Sequence, residues 1–145
     1  MMTGLESENE YGNASKMSRW LPVVLWLALI FTLSSIPLNG RIIVKLFRHQ
    51  DKLIHFLEYG ILGALLVRAV YDHGLGMARY WACIGLAVAV GAIDEVHQSF
   101  IPGRMMDWHD LLADTAGALL FAWLWLAYKA SGLTGIFRTS SESES

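Results

Sequence analysis

Residues 20–36, WLPVVLWLALIFTLSSI, carry no ionisable side chain, and the uncharged stretch continues to Gly40. About twenty such residues, at a rise of about 1.5 Å each, cross a hydrocarbon core of ~30 Å. A soluble helix keeps one polar face, and this segment has none. Pro22 falls in its first turn, where a missing N–H costs little. Lys16 and Arg19 precede the run as they would in a signal peptide, but SSIPLNG is a poor match to a small-residue cleavage site. The segment therefore reads as a retained membrane span.

Three further hydrophobic segments follow, at 53–71, 80–100 and 107–128. Together they account for a hydrophobic content of 54%, against roughly 45–50% in soluble domains. The fold class expected is an all-α integral membrane protein, a bundle of about four transmembrane helices. Residues 1–18 form a polar N-terminal tail, 19–130 the span domain, and 131–145 an acidic Ser/Glu-rich tail ending in SSESES; both tails read as largely disordered. A net charge of -2 gives no basic field for nucleic acid. The single cysteine, Cys83, lies in an apolar run and reads as a small buried hydrophobe.

Small residues recur along the helices: Gly60 with Gly63, Gly85 with Ala89, Ala87 with Gly91, and Ala113 with Gly117. Small residues sharing a helical face let backbones approach closely in a membrane. Trp20, Tyr80, Trp81, Trp108, Trp123, Trp125 and Tyr128 gather towards segment ends, as in an interfacial aromatic belt. Between the first two spans, Ile42, Ile43, Leu46 and Phe47 fall on one helical face and Arg41, Lys45 and Arg48 on the other. That pattern fits a short helix in the interface, or equally a basic loop snorkelling to headgroups. Lys and Arg are slightly more numerous on the side of the two tails, which leans both tails towards the cytoplasm.

The ionisable residues of the spans gather at one end. With four spans, the second helix starts, the third ends and the fourth starts on the same side. Glu58 is seven residues past Asp51, Asp94 eight before Pro102 and Asp114 seven past Asp107. At about 1.5 Å per residue, three helices place carboxylates at one depth, ~10 Å under one surface. Asp51, His55 and Glu58 share a stripe at i, i+4 and i+7. Asp94 pairs with Gln98 at i+4, Glu95 with Gln98 at i+3, and Asp107, Asp110 and Asp114 lie at i, i+3 and i+7. A charge held inside a bilayer costs at least ~2.5–3.5 kcal/mol and marks function by default.

The acids outnumber the cations Lys52 and Arg104, and like charges crowded at low dielectric cannot all ionise. Protons, His55, His97 or His109, or a divalent metal ion must offset them. An oxygen-rich set built from Asp94, Glu95, Asp110 and Asp114 suits Mg²⁺, Ca²⁺ or Mn²⁺, and an added imidazole admits Zn²⁺. His55, Glu58, Asp94, Glu95 and Asp110 are the candidate catalytic acids and bases. Lys52, Gln98 and Arg104 are the candidate ligand-binding residues, with Arg104 behind a Pro–Gly turn and suited to phosphate. The same residues could serve only as a buried network fastening helices, with Asp51 as an N-cap and Asp107 as a helix-start residue favoured by the dipole.

Three blocks of residues resemble the VanZ-like family of bacterial membrane proteins. Asp51-Lys52-Leu53-Ile54-His55-Phe56 with Tyr59 resembles its D-K-x-x-H-F-x-x-Y start. Residues 93–104, IDEVHQSFIPGR, resemble its D-E-x-x-Q-x-F-x-P-G-R block. Residues 110–117, DLLADTAG, resemble its D-x-x-x-N-x-x-G helix, with Asp114 where the family commonly has Asn. Ser34-Ser35 closing the first span also fits. The resemblance covers residues 20–128 and implies a multi-pass protein of the bacterial inner membrane. It also implies an association with envelope lipids and, through one namesake, with teicoplanin resistance.

Three functional classes are consistent with these readings. The first is a membrane protein that handles an anionic envelope lipid or a polyprenyl-phosphate precursor. The second is a membrane enzyme acting on lipid headgroups by carboxylate and His acid–base chemistry or metal assistance. The third is a structural or partner-binding bundle. The sequence has no P-loop and no G-x-S-x-G elbow.

Overall fold

The computed structural model describes residues 3–37, 50–71 and 74–131, with side chains from residue 17 onward. Four helices make up its regular structure: α1 (Thr3–Ser34), α2 (Gln50–Val70), α3 (Met77–Gln98) and α4 (Trp108–Ala130). Each contains a stretch long and apolar enough to cross a membrane, beginning in α1 at Met17. The chain is an all-α bundle of four membrane spans.

Helix α1 starts well before the apolar run, inside the tail read from sequence as disordered. Once the uncharged segment nucleates a helix, each added residue upstream gains a hydrogen bond, so propagation is easier than initiation. The connection containing Arg41, Lys45 and Arg48 and the Ser/Glu-rich tail lie outside the described residues.

The bundle turns its polarity inside out relative to a soluble one. Val24, Leu25, Ile93 and Trp123 are 58%, 61%, 59% and 58% exposed, while Asp94, Glu95 and Asp114 are each 1% exposed. An apolar exterior around buried acids suits a hydrocarbon solvent. Trp20, Trp81, Trp108 and Tyr128 are exposed near the ends of the apolar spans, as the interfacial belt requires.

Helix α2 is central and packs most extensively on α4. That crossing is set by small residues. A Cβ added at Gly63 would lie 2.6 Å from the Ala118 carbonyl oxygen, and one at Gly117 would strike the Phe56 carbonyl oxygen. At Gly60 it would meet the Phe121 ring at 2.8 Å. Ala87 and Gly91 are buried in α3 as their spacing implied. Gly85 differs: a Cβ there meets nothing within 4 Å, so the Gly85–Ala89 pair faces outward. Cys83 is buried, 5% exposed, in the apolar core with Leu66, Val67 and Ile84.

Helix α1 docks chiefly on α2, burying Val23 and Ile30. The Trp26 indole N–H donates to the Glu58 carbonyl at 2.9 Å, and Arg19 Nη1 to the Tyr71 carbonyl at 3.3 Å. In a medium without water these polar contacts replace hydration that neither partner could otherwise have.

Candidate functional site

The site lies where α1 and α3 end and α2 and α4 begin. The α3–α4 connection forms its rim. Arg104 N–H donates to the Ile101 carbonyl at 3.0 Å across Pro102 and Gly103, and Gly103 has φ 85°. Proline second and a positive-φ glycine third is the type II turn pattern. The turn sends Arg104 back onto the end of α1. Its Nη2 donates to the Leu33 carbonyl at 2.9 Å, its Nε to the Ile36 carbonyl at 3.3 Å and its Nη1 to Gln98 Oε1 at 3.3 Å.

Gln98 Nε2 in turn donates to Asp94 Oδ2 at 2.8 Å and to Ser34 Oγ at 3.3 Å, while Ser34 Oγ donates to the same Asp94 oxygen at 2.8 Å. Arg104, Gln98, Asp94 and Ser34 therefore form one chain of hydrogen bonds fastening α1 to α3. Three of the five guanidinium donors are engaged within the protein, two of them on backbone carbonyls at and just past the end of α1, where the Leu33 carbonyl also accepts from the Ile36 N–H at 3.2 Å. Arg104→Lys, which keeps the charge and loses the planar fork, should loosen the end of α1. Hydrogen bonds to charged groups are worth ~1.5–3 kcal/mol each, so a loss of about 2 kcal/mol is expected. Faster hydrogen exchange across residues 30–37, with α2 and α4 unchanged, would register it.

A second group is centred on His55. Its Nδ1 meets Asp114 Oδ1 at 3.1 Å and its Nε2 faces Glu95 Oε1 at 3.9 Å. The ring lies parallel to that of Tyr59, interplanar angle 2° and centroids 6.4 Å apart. Gly91 makes room for this arrangement, since a Cβ there would sit 2.8 Å from Asp114 Oδ2 and 3.4 Å from the Tyr59 ring.

Glu95 is fixed from its other side, Oε2 accepting from the Asp107 backbone N–H at 2.8 Å. Asp107 caps α4, accepting from the His109 backbone N–H at 2.9 Å, which bears out its reading as a helix-start residue. The Lys52 ammonium and then the His109 N–H hold its carboxyl well below the usual carboxylate range. Lys52 Nζ bridges Asp107 Oδ2 at 2.7 Å and Asp110 Oδ1 at 2.6 Å, with Asp51 at 3.6 Å.

Asp94, Glu95, Asp110, Asp114, Gln98 and His55 thus meet in one buried layer under one membrane face. Three residues placed with them from sequence stand apart. Glu58 is half-buried, and its carboxylate accepts no hydrogen bond among the described residues. It lies three residues past His55, about 60° round the helix, whereas Tyr59, four past, is fully buried. Asp51 lies within the first turn of α2 rather than capping it, with its side chain 62% exposed. His97 pairs with Ser35 Oγ at 3.0 Å, beside α1 rather than in the layer.

Among the described residues, three carboxylate oxygens in this layer have no hydrogen-bond partner: Asp94 Oδ1, Glu95 Oε1 and Asp114 Oδ2. Buried polar atoms are satisfied in the great majority of cases, so three orphans in one layer single it out. The family model described as VanZ/LLP1 matches residues 17–129. The chain belongs to the VanZ/LLP1 family. No curated protein and no solved structure is matched by the chain. The match spans all four apolar segments and the whole polar layer of this VanZ/LLP1 protein, leaving only the two tails outside. Two residues of the layer, Ser34 and Gly91, carried weak sequence signals: a hydroxyl at the end of the first span and a small residue spaced four from Ala87.

Proposed function

We propose that this VanZ/LLP1 protein handles the phosphate-bearing headgroup of an envelope lipid, a phospholipid or a polyprenyl-phosphate precursor, at its buried polar layer. The observation that carries this reading is the His55–Glu95–Asp114 constellation, incompletely hydrogen-bonded and set just below one end of an apolar bundle. Molecules that reach such a depth from the bilayer present lipid headgroups. Charged side chains kept inside a membrane face a cavity, a pathway or a partner. With both tails in the cytoplasm of a bacterial inner membrane, the layer opens on the outer leaflet, where cell-envelope precursors are used.

Lys52 and Arg104 enter this reading differently from a bare phosphate grip. Both hold internal oxygens, so they shape the rim and fix the acids behind it.

A second reading, catalysis on the headgroup, is favoured by one specific contact. Asp114 fixes one ring nitrogen of His55 and leaves the other facing a carboxylate, the arrangement by which a general base is oriented.

Native mass spectrometry of the protein released from mild detergent tests the proposal. The wild type should retain a phosphate-bearing lipid, and Glu95→Gln should lose it while melting normally, since a glutamine oxygen still accepts from Asp107 N–H. A wild type free of lipid would leave the bundle as a structural or partner-binding element. Turnover of the retained lipid by the wild type would select the enzymatic reading.

A further inference from the structure

Four buried acids disfavour an anionic headgroup unless protons or a cation offset them, and Lys52 and Arg104 are already engaged by internal partners. One trio in the layer has the geometry to hold that cation. His55, Glu95 and Asp110, all buried, each present one ligand atom, and the three atoms lie within 4.8 Å of one another. We propose that these residues form a binding site for a divalent transition-metal ion of the Zn²⁺ or Mn²⁺ class. The inference rests on the same layer being the working site and names the ion through which it would take a phosphate.

Each ligand is prepared by a different neighbour. Glu95 is 1% exposed, and its Oε1 has no hydrogen-bond partner among the described residues and faces His55 Nε2 at 3.9 Å. Its second oxygen is tethered to the Asp107 N–H at 2.8 Å, which fixes where the first one points. Metal-ligating histidines almost always engage a carboxylate or carbonyl through their other ring nitrogen, and Asp114 does this for His55 Nδ1 at 3.1 Å. Asp110 is held through its Oδ1 by the Lys52 ammonium at 2.6 Å.

Metal–ligand distances of about 2.0–2.2 Å put neighbouring donors ~3–3.5 Å apart, so the trio closes by a fraction of an ångström to somewhat over one ångström around an ion. One imidazole with two carboxylates favours Zn²⁺ or Mn²⁺ over Ca²⁺ and Mg²⁺, which prefer oxygen alone. The set differs from the all-carboxylate one read from sequence. Asp94 is turned to Ser34 and Gln98, and Asp114 stands behind His55 as a positioning residue. A bound ion would give a Lewis acid at the place a phosphate oxygen enters.

The test uses the full chain in lipid nanodiscs, stripped with chelator and titrated with Zn²⁺ and Mn²⁺ by calorimetry. Saturable binding of a single ion per chain is expected, lost in Glu95→Gln and unchanged in Asp94→Asn. Asp114→Ala should weaken it about tenfold to a hundredfold, and Asp114→Asn, which keeps an acceptor for His55, should restore most of it. Co²⁺ loaded into the unmutated protein should show visible absorption bands of a nitrogen–oxygen ligand set, a readout independent of any variant's folding. Absence of saturable binding in the wild type, or equal affinity in Glu95→Gln, overturns the site. Lipid retained by chelator-stripped protein that binds no ion would overturn the ion alone. An ion bound without lipid retention would instead overturn the headgroup reading and leave the ion site standing.

Discussion

Gly117→Ala is expected to cost at least about 3 kcal/mol of stability, the upper part of the range for overpacking a close-fitted core. The reason is what the added methyl group meets. At most crowded positions a neighbouring side chain can rotate away. Here the obstacles are the Phe56 carbonyl and the Gly60 backbone nitrogen of α2, which move only if the whole helix moves. The α2–α4 crossing is the most extensive contact in the bundle and carries the two helices that deliver His55, Asp110 and Asp114. Separating them would unfold the protein and open the site together. Gly85→Ala is the matched comparison, because a Cβ there meets nothing within 4 Å. Thermal melts in one detergent should give a large drop for the first variant and almost none for the second. Equal melting temperatures would mean that α2 and α4 do not cross at Gly117.

His55→Leu should be the most damaging change within the site. It removes the hydrogen bond that Asp114 Oδ1 makes with His55 and the group facing Glu95. Stranding a buried charge by removing its partner typically costs ~3–5 kcal/mol. Adding Asp114→Leu removes the stranded acid as well, and replacing both members of a buried pair by apolar groups is often neutral or stabilising. The double variant should therefore melt closer to the wild type than His55→Leu alone, yet retain no lipid. That split separates a network kept for stability from one kept for function. Recovery of both melting temperature and lipid retention in the double variant would make the pair structural only.

The sequence carried the span count and the site's depth because both depend on position along a chain of fixed rise. Segments of about twenty apolar residues read directly as spans. Asp94 and Asp114 could be placed at one level by counting from Pro102 and Asp107. What it did not carry was partner identity. Arg104 reads as an anion-binding residue behind a turn, but the carbonyls it meets belong to residues 68 and 71 positions earlier. Spacing within α3 and α4 says nothing of that. Glu58 was grouped with His55 because seven residues nearly close two helical turns with Asp51. The face that is buried runs through His55 and Tyr59 instead, so Glu58 falls to its edge. Gly85 and Gly117 are alike as letters in a small-residue pattern, and only the packing distinguishes a contact from a lipid-facing gap.

The hydrogen-bond partners of α1 follow it in the chain. Trp26 waits for Glu58, Arg19 for Tyr71, Ser34 for Asp94, and the carbonyls of Leu33 and Ile36 for Arg104, at separations of 32, 52, 60, 71 and 68 residues respectively. During synthesis α1 therefore enters the membrane well before the residues that secure it. Until the Pro102–Gly103 turn has emerged, α1 depends on lipid and on its early contacts with α2. Nascent chains stopped before Arg104 are the ones whose first helix a membrane quality-control protease would find loose.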